Sequence, residues 1–116
     1  MTINQRTEKV IEESDVLIFL PGGFGTTYEL MTVLECRRAY EFVKPIIIYN
    51  SCGYFDKLLD FFELTYDDCF ASRKLLDYYY VCNDVSDVLD YIDRYYCIDM
   101  NNDNKVKVRV RKNDRE

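Results

Sequence analysis

DVLIFLPGGFGTTYE, residues 15–29, joins five consecutive apolar side chains to a loop that holds three of the chain's four glycines. Val16 to Leu20, rich in β-branched and aromatic residues and bounded by Asp15 and Pro21-Gly22-Gly23, reads as a strand buried on both faces, the mark of a parallel sheet. Beyond the glycines, Leu30, Met31, Val33 and Leu34 recur at helical spacing, which predicts a helix over Thr27 to Tyr40. The loop therefore leaves the carboxyl end of a buried strand and enters a helix. Open α/β folds bind ligands at that place. Glycine allows positive φ and lets the backbone approach a ligand closely, while the amides and dipole of a helix's first turn favour an anion.

The same alternation continues along the chain. Residues 2 to 14 read as a helix, with Ile3, Val10 and Ile11 apolar, and Pro45-Ile-Ile-Ile-Tyr49 as a second buried strand. A helix follows from about Tyr54 to Leu64, then a third strand over Tyr78 to Cys82. The last helix, Val85 to Tyr96, sets Val85, Val88, Leu89 and Ile92 on one face. Strands alternating with helices imply βαβ units, a Rossmann-like parallel sheet with flanking helices, and one domain over residues 1–98. Residues 99–116 differ in kind. An Asn/Asp linker opens into Lys105-Val-Lys-Val-Arg-Val-Arg111, which suits an edge strand, a basic arm for an anionic partner or a solvated end.

Composition narrows the chemistry. The chain has 116 residues, no histidine and a net charge of −6. Without histidine the commonest general base and metal ligand are missing, so carboxylates, Arg, Lys, Tyr or Cys must do any chemistry. Residues 105–116 carry six basic and two acidic side chains, so residues 1–104 sum to −10. An acidic body does not suit long nucleic acid. The five cysteines are odd in number, unevenly spaced and never form CxxC, which argues for reduced, mostly buried thiols rather than disulfides or a zinc site. Asp67, Asp68 and Asp84 fit turn and cap roles better than a metal site. The first residues have no apolar core of a secretory signal and no stretch approaches the roughly 20 apolar residues of a membrane span, so a cytoplasmic location is expected.

The loop lacks the Lys of a Walker A motif, and Tyr28 stands where a dinucleotide fingerprint has its third glycine. Its pattern is PGGxGTxxE, and Pro21-Gly22-Gly23-Phe24-Gly25-Thr26-Thr27-Tyr28-Glu29 resembles at every defined position the signature of the LOG-like family, many of whose members were long labelled possible lysine decarboxylases. Ile3-Asn4-Gln5-Arg6-Thr7 falls where that family places MxxRK, keeping Arg6 while Ile3 and Thr7 replace Met and Lys. The KPIIIYN strand and Gly53-Tyr-Phe-Asp-Lys-Leu-Leu59 extend the similarity, which spans about residues 3 to 95. The family's fold begins with further βα units, so the chain is similar to its C-terminal half.

The resemblance implies hydrolysis of the N-glycosidic bond of an AMP-like nucleoside 5′-monophosphate, releasing base and ribose 5-phosphate, without a metal or other cofactor. It implies catalytic roles for Arg6 and Glu29, phosphate binding by Gly22, Gly23, Phe24, Gly25 and Thr26, and a homodimer. Duller readings stand beside these. Thr26-x-x-Glu29 is also a capping box, Arg6 also a surface charge, and Phe24 and Tyr28 also packing or lid residues. Tyr78 to Tyr80 and Tyr95-Tyr96 suit packing on the sheet or at a dimer contact. A non-catalytic nucleotide or molybdenum-cofactor binder, or an inactive remnant, is the alternative function.

Overall fold

The computed structural model describes residues 3–40, 44–96 and 108–111, with side chains described over 5–39 and 44–96. The elements in order are α1 (Ile3–Glu13), β1 (Val16–Phe19), α2 (Phe24–Tyr40), β2 (Ile46–Tyr49), α3 (Asp56–Asp67), β3 (Tyr80–Cys82), α4 (Val85–Tyr96) and β4 (Val108–Arg111). Short 3₁₀ turns at Ser51–Gly53 and Arg73–Asp77 flank α3. Every strand pair is parallel, in the order β3-β2-β1-β4. The fold is thus the Rossmann-like α/β class expected. The expected boundary at residue 98 and Cys97 lie outside the described residues, as does all of the tail except β4.

Both faces of β1 and β2 are covered, and this is why their sequences lack alternation. Leu17, Phe19, Ile46 and Ile48 pack with Ile11 of α1, Leu30, Val33 and Leu34 of α2, and Phe62 and Tyr66 of α3. Val16, Ile18 and Ile47 pack on the other face with Cys82, Val88 and Ile92. Each such side chain contributes about 1.5–3 kcal/mol by leaving water. Lys44, just before β2, donates from Nζ to the carbonyls of Ile11 and Glu12, capping the end of α1 at the amino edge of the sheet. Only Ser14 and Asp15 separate α1 from β1, so α1 runs back along the strand and its first turns reach the carboxyl edge.

Two helices depart from expectation. In α4, Val88 and Ile92 are buried, but Val85 and Leu89 are 61% and 57% exposed. The helix is rotated so that Tyr91 and Tyr96 pack on the sheet instead, with Tyr91 stacked on Tyr80 at 4.2 Å and Tyr96 donating to the Asp15 carbonyl. Tyr66, Tyr78 and Tyr79 also pack internally: the Tyr66 and Tyr79 hydroxyls are 2.9 Å apart, and the Arg37 guanidinium lies 4.6 Å from the Tyr78 ring. The second departure, the start of α2, concerns the site. Asp84 caps α4 by accepting from the Asp87 amide at 2.8 Å, the role foreseen for it. Cys36, Cys52, Cys69 and Cys82 are free thiols, but of these four only Cys82 is buried, contrary to expectation, because Cys52 and Cys69 fall at exposed turns with positive φ rather than on packed faces. Among the described residues no helix is long and apolar enough to cross a membrane.

Burial raises the pKa of several neutral acids. It pushes the Cys82 thiol from its ordinary 9.0 up to about 12, with Asp87 and Asp84 adding to the effect. Desolvation, with the Tyr66 hydrogen bond second, raises Tyr79, and desolvation raises Tyr91 as well. A pKa higher in the folded than in the unfolded chain gives stability that is complete below the unfolded value and lost as pH rises through the folded one. The urea midpoint is therefore expected to hold up to about pH 9 and to fall steadily toward pH 12. A midpoint unchanged over that interval would contradict this packing.

Candidate functional site

The loop Leu20 to Gly23 leaves β1 at the carboxyl edge of the sheet, and α2 begins at Phe24, three residues earlier than its apolar spacing indicates. The first helical bond runs from the Thr27 amide to the Gly23 carbonyl at 3.1 Å, and the Thr27 hydroxyl donates to the same oxygen at 3.1 Å. Gly23 is therefore the N-cap, and Thr26 sits inside the first turn rather than ahead of it. This removes the capping-box reading of Thr26 and Glu29. Among the described residues the one glycine at positive φ is Gly53, so Gly22, Gly23 and Gly25 do not serve left-handed geometry as expected. What they supply is the absence of a Cβ at three positions of the loop, which lets a ligand approach the backbone there more closely than a side chain would allow.

Electrostatics favour an anion there. The first turn of α2 contains no acidic residue and its last turn carries Arg37 and Arg38, whereas α3 and α4 answer their own dipoles with Asp56 and Asp87. Residues 14–36 contain no Lys or Arg, so within this stretch the positive potential comes from backbone groups.

The site residues separate onto two flanks of α2. On the α3 flank, Gly22, Gly23, Phe24 and Thr27 line a cleft of about 360 Å³ with Tyr54, Phe55 and Leu58. Phe24 is 95% exposed, so it packs into no core and stands at the mouth of this cleft. Thr26 is fully buried beneath the loop. Glu29 lies about 200° around the helix from Thr27, at about 100° per residue, on the flank that faces α1. There Thr32 and Cys36 share a groove with Glu8 of α1, and desolvation, followed by the nearby Glu8 and Glu35, raises the Cys36 thiol. Glu29 is 9% exposed, an unusual burial for a carboxylate. Arg6 is exposed on the first turns of α1, beside buried Thr7. Arg6 and Glu29 thus share the α1 side of the loop, and Arg6 lines neither the cleft nor the groove.

Tyr54 and Asn50 belong to this site and escape a reading of the sequence. The Tyr54 hydroxyl donates to the Gly22 carbonyl, holding the glycine loop from across the cleft. It arrives there because Cys52 and Gly53 take φ of 54° and 70°, which turns the chain sharply after β2. The φ of 70° at Gly53 is one that residues with side chains rarely adopt, and a Cβ there would also stand 2.5 Å from Asp56 Oδ2, so glycine is strongly favoured. Buried Asn50 fixes this turn: its Oδ1 accepts from the Phe55 amide at 2.7 Å, its Nδ2 donates to Asp56 Oδ1 at 2.7 Å, and its own amide donates to the Cys82 carbonyl at 2.7 Å. The sequence signals were Asn50 at a strand end and Gly53 before an aromatic pair. Among the described residues no group of three or more His, Cys, Asp or Glu could hold a metal ion.

A parallel α/β sheet that turns a glycine loop into a helix at its carboxyl edge defines a Rossmann-like protein. The family model described as possible lysine decarboxylase matches residues 1–92, and the chain belongs to that family, the LOG family. A probable cytokinin riboside 5′-monophosphate phosphoribohydrolase of Oryza sativa subsp. japonica is 32% identical over 94 residues, 81% of this chain and 38% of that protein. A cytokinin riboside 5′-monophosphate phosphoribohydrolase of Arabidopsis thaliana is 35% identical over 71 residues, 61% of this chain and 33% of that protein. A second probable enzyme of that name from Oryza sativa subsp. japonica is 28% identical over 93 residues, 80% of this chain and 44% of its own. The chain thus spans a third to under half the length of these relatives.

Proposed function

We propose that this chain carries the phosphate-binding and carboxylate part of a nucleoside 5′-monophosphate phosphoribohydrolase. In the reaction water adds its oxygen to C1′ of the ribose, the C1′–N bond breaks with its electron pair going to the base, and the base takes up a proton. The products are base and ribose 5-phosphate. The 5′-phosphate sits at the mouth of α2, over Gly22 to Thr26. Glu29 lies one turn further on, where a fixed carboxylate stabilises the positive charge that builds on the sugar and orients the attacking water. Arg6, on the same side, offsets charge on the departing base or clamps a phosphate oxygen.

The observation that carries this reading is the buried carboxylate of Glu29, one turn beyond a loop of glycines at a helix mouth that lacks its own acidic residue. The names of the related proteins support it. Incubation of the purified chain with AMP is expected to release adenine and ribose 5-phosphate in equal amounts. AMP recovered intact would contradict the proposal. A homodimer is part of the same reading, supported by Phe24, Tyr28 and Met31, which leave an apolar stripe exposed along α2; sedimentation equilibrium at the monomer mass would count against it.

A further inference from the structure

Between α2 and the second half of α3 lies a cavity of about 210 Å³ that the reading above does not use. Met31 and Leu34 of α2 form one wall, and Phe61, Phe62 and Tyr66 of α3 another. The segment after α3 adds Phe70, Ala71 and Leu75, and Tyr79 stands just before β3. Leu34, Phe62 and Tyr66 are buried and make the floor, whereas Phe61 and Phe70 are exposed at the rim. Met31 is seven residues, or about 10 Å, along the helix from Phe24, so the cavity is separate from the glycine loop.

Main-chain bonds hold the outer wall in place. α3 ends with Cys69 at φ 63°, the Cys69 amide donating to the Tyr66 carbonyl at 3.2 Å and the Phe70 amide to the Thr65 carbonyl at 2.9 Å. In this paired closure the apolar residue that follows ordinarily packs back on the last turns of the helix. Phe70 does not, being 86% exposed. It stands at the cavity mouth instead, and the Ala71 amide fixes the wall beside it by donating to the same Thr65 carbonyl at 3.1 Å.

Size and polarity decide what fits. Close-packed interiors leave few voids larger than a water molecule, and an apolar cavity of about 150 Å³ takes up benzene. The 210 Å³ here admits a single ring with one small substituent, and a nucleotide is too large for it. Three kinds of polar side chain line the walls. Glu35 accepts from Arg38 at 2.8 Å, and the Thr65 hydroxyl donates to the Phe62 carbonyl at 2.6 Å, so both are engaged. The Tyr66 and Tyr79 hydroxyls share one hydrogen bond at 2.9 Å, which uses one of their two protons and leaves the second for a further acceptor. Burial, with the Tyr66 bond second, raises Tyr79, so the pair stays protonated and neutral.

We propose that this cavity binds a neutral, single-ring aromatic molecule carrying one acceptor oxygen, of the phenol or cresol class. Its ring lies on Phe62 under the rim of Phe61 and Phe70, and its oxygen accepts from the Tyr66–Tyr79 pair. A charged ring is disfavoured, because it would leave water without a counter-charge to meet it. The site does not depend on the hydrolase reading.

Amide chemical shifts of the ¹⁵N-labelled full chain, titrated with p-cresol, toluene and benzoate, test this. p-Cresol is expected to give saturable changes at Phe62, Phe70, Ala71 and Leu75 and none at Gly22 to Thr26. Toluene, which lacks the oxygen, is expected to bind about fivefold more weakly, and benzoate at least about tenfold more weakly. Ala71→Leu fills the cavity and is expected to weaken p-cresol about tenfold or more. Should that variant lose the fold, the double change Tyr66→Phe with Tyr79→Phe keeps both rings and is expected to bring p-cresol down to the affinity of toluene. No saturable change at these amides, toluene or benzoate binding as tightly as p-cresol, or unchanged p-cresol affinity in either folded variant overturns the inference. An affinity that falls as protein concentration rises would place a second copy of the chain in the cavity and overturn it too.

Discussion

Glu29→Gln is expected to lower adenine release from AMP by about 10²–10³-fold while KM stays near that of the wild type. The amide matches the carboxylate in shape, so the helix and its buried flank are preserved. What disappears is the negative charge, which interacts weakly with the neutral sugar of the ground state and strongly with the cationic sugar of the transition state. The loss must therefore fall on kcat. Wild-type turnover in Glu29→Gln would remove Glu29 from the mechanism, and a loss confined to KM would make it a binding residue only. The unfolding midpoint of the variant separates either result from misfolding.

Asn50→Ala is expected to destabilise the fold by about 2 kcal/mol, because it leaves the buried Phe55 amide without its acceptor and Asp56 without its donor. In a domain of this size that corresponds to a fall of about 10 °C in Tm. The same change frees the turn that carries Tyr54 to the Gly22 carbonyl, so phosphate affinity is expected to fall together with Tm. Tyr54→Phe isolates the second effect, since it removes the hydroxyl and keeps the ring. A Tm shift below about 2 °C for Asn50→Ala would show that the turn holds without its side-chain anchor.

The sheet was legible because Val16 to Leu20 and Ile46 to Ile48 form short, unbroken apolar runs, a pattern that suits a strand covered by helices on both sides and little else of that length. The loop was legible because three glycines within four residues have no use inside a strand or a helix. Its geometry was not. Glycine reads as a helix breaker, yet Gly23 is the cap and Gly25 lies inside the first turn, because the end of a helix tolerates what its middle does not. The face of α4 was misplaced for another reason: Tyr91 and Tyr96 bury more area than Val85 and Leu89, so the aromatic residues turned the helix. Tyr54 acts on a carbonyl 32 positions earlier in the chain, a contact that no local pattern encodes.

The proposed hydrolysis requires that the glycine loop and the mouth of α2 seat a phosphate. Titration of the ¹⁵N-labelled chain with AMP, followed by amide chemical shifts, tests this most directly. The largest and saturable changes are expected at Gly22, Gly23, Phe24, Gly25 and Thr26, with ribose 5-phosphate reproducing them and adenosine not. Saturable shifts elsewhere with these five amides unmoved, or no shifts at millimolar AMP, would contradict a phosphate seat at this loop.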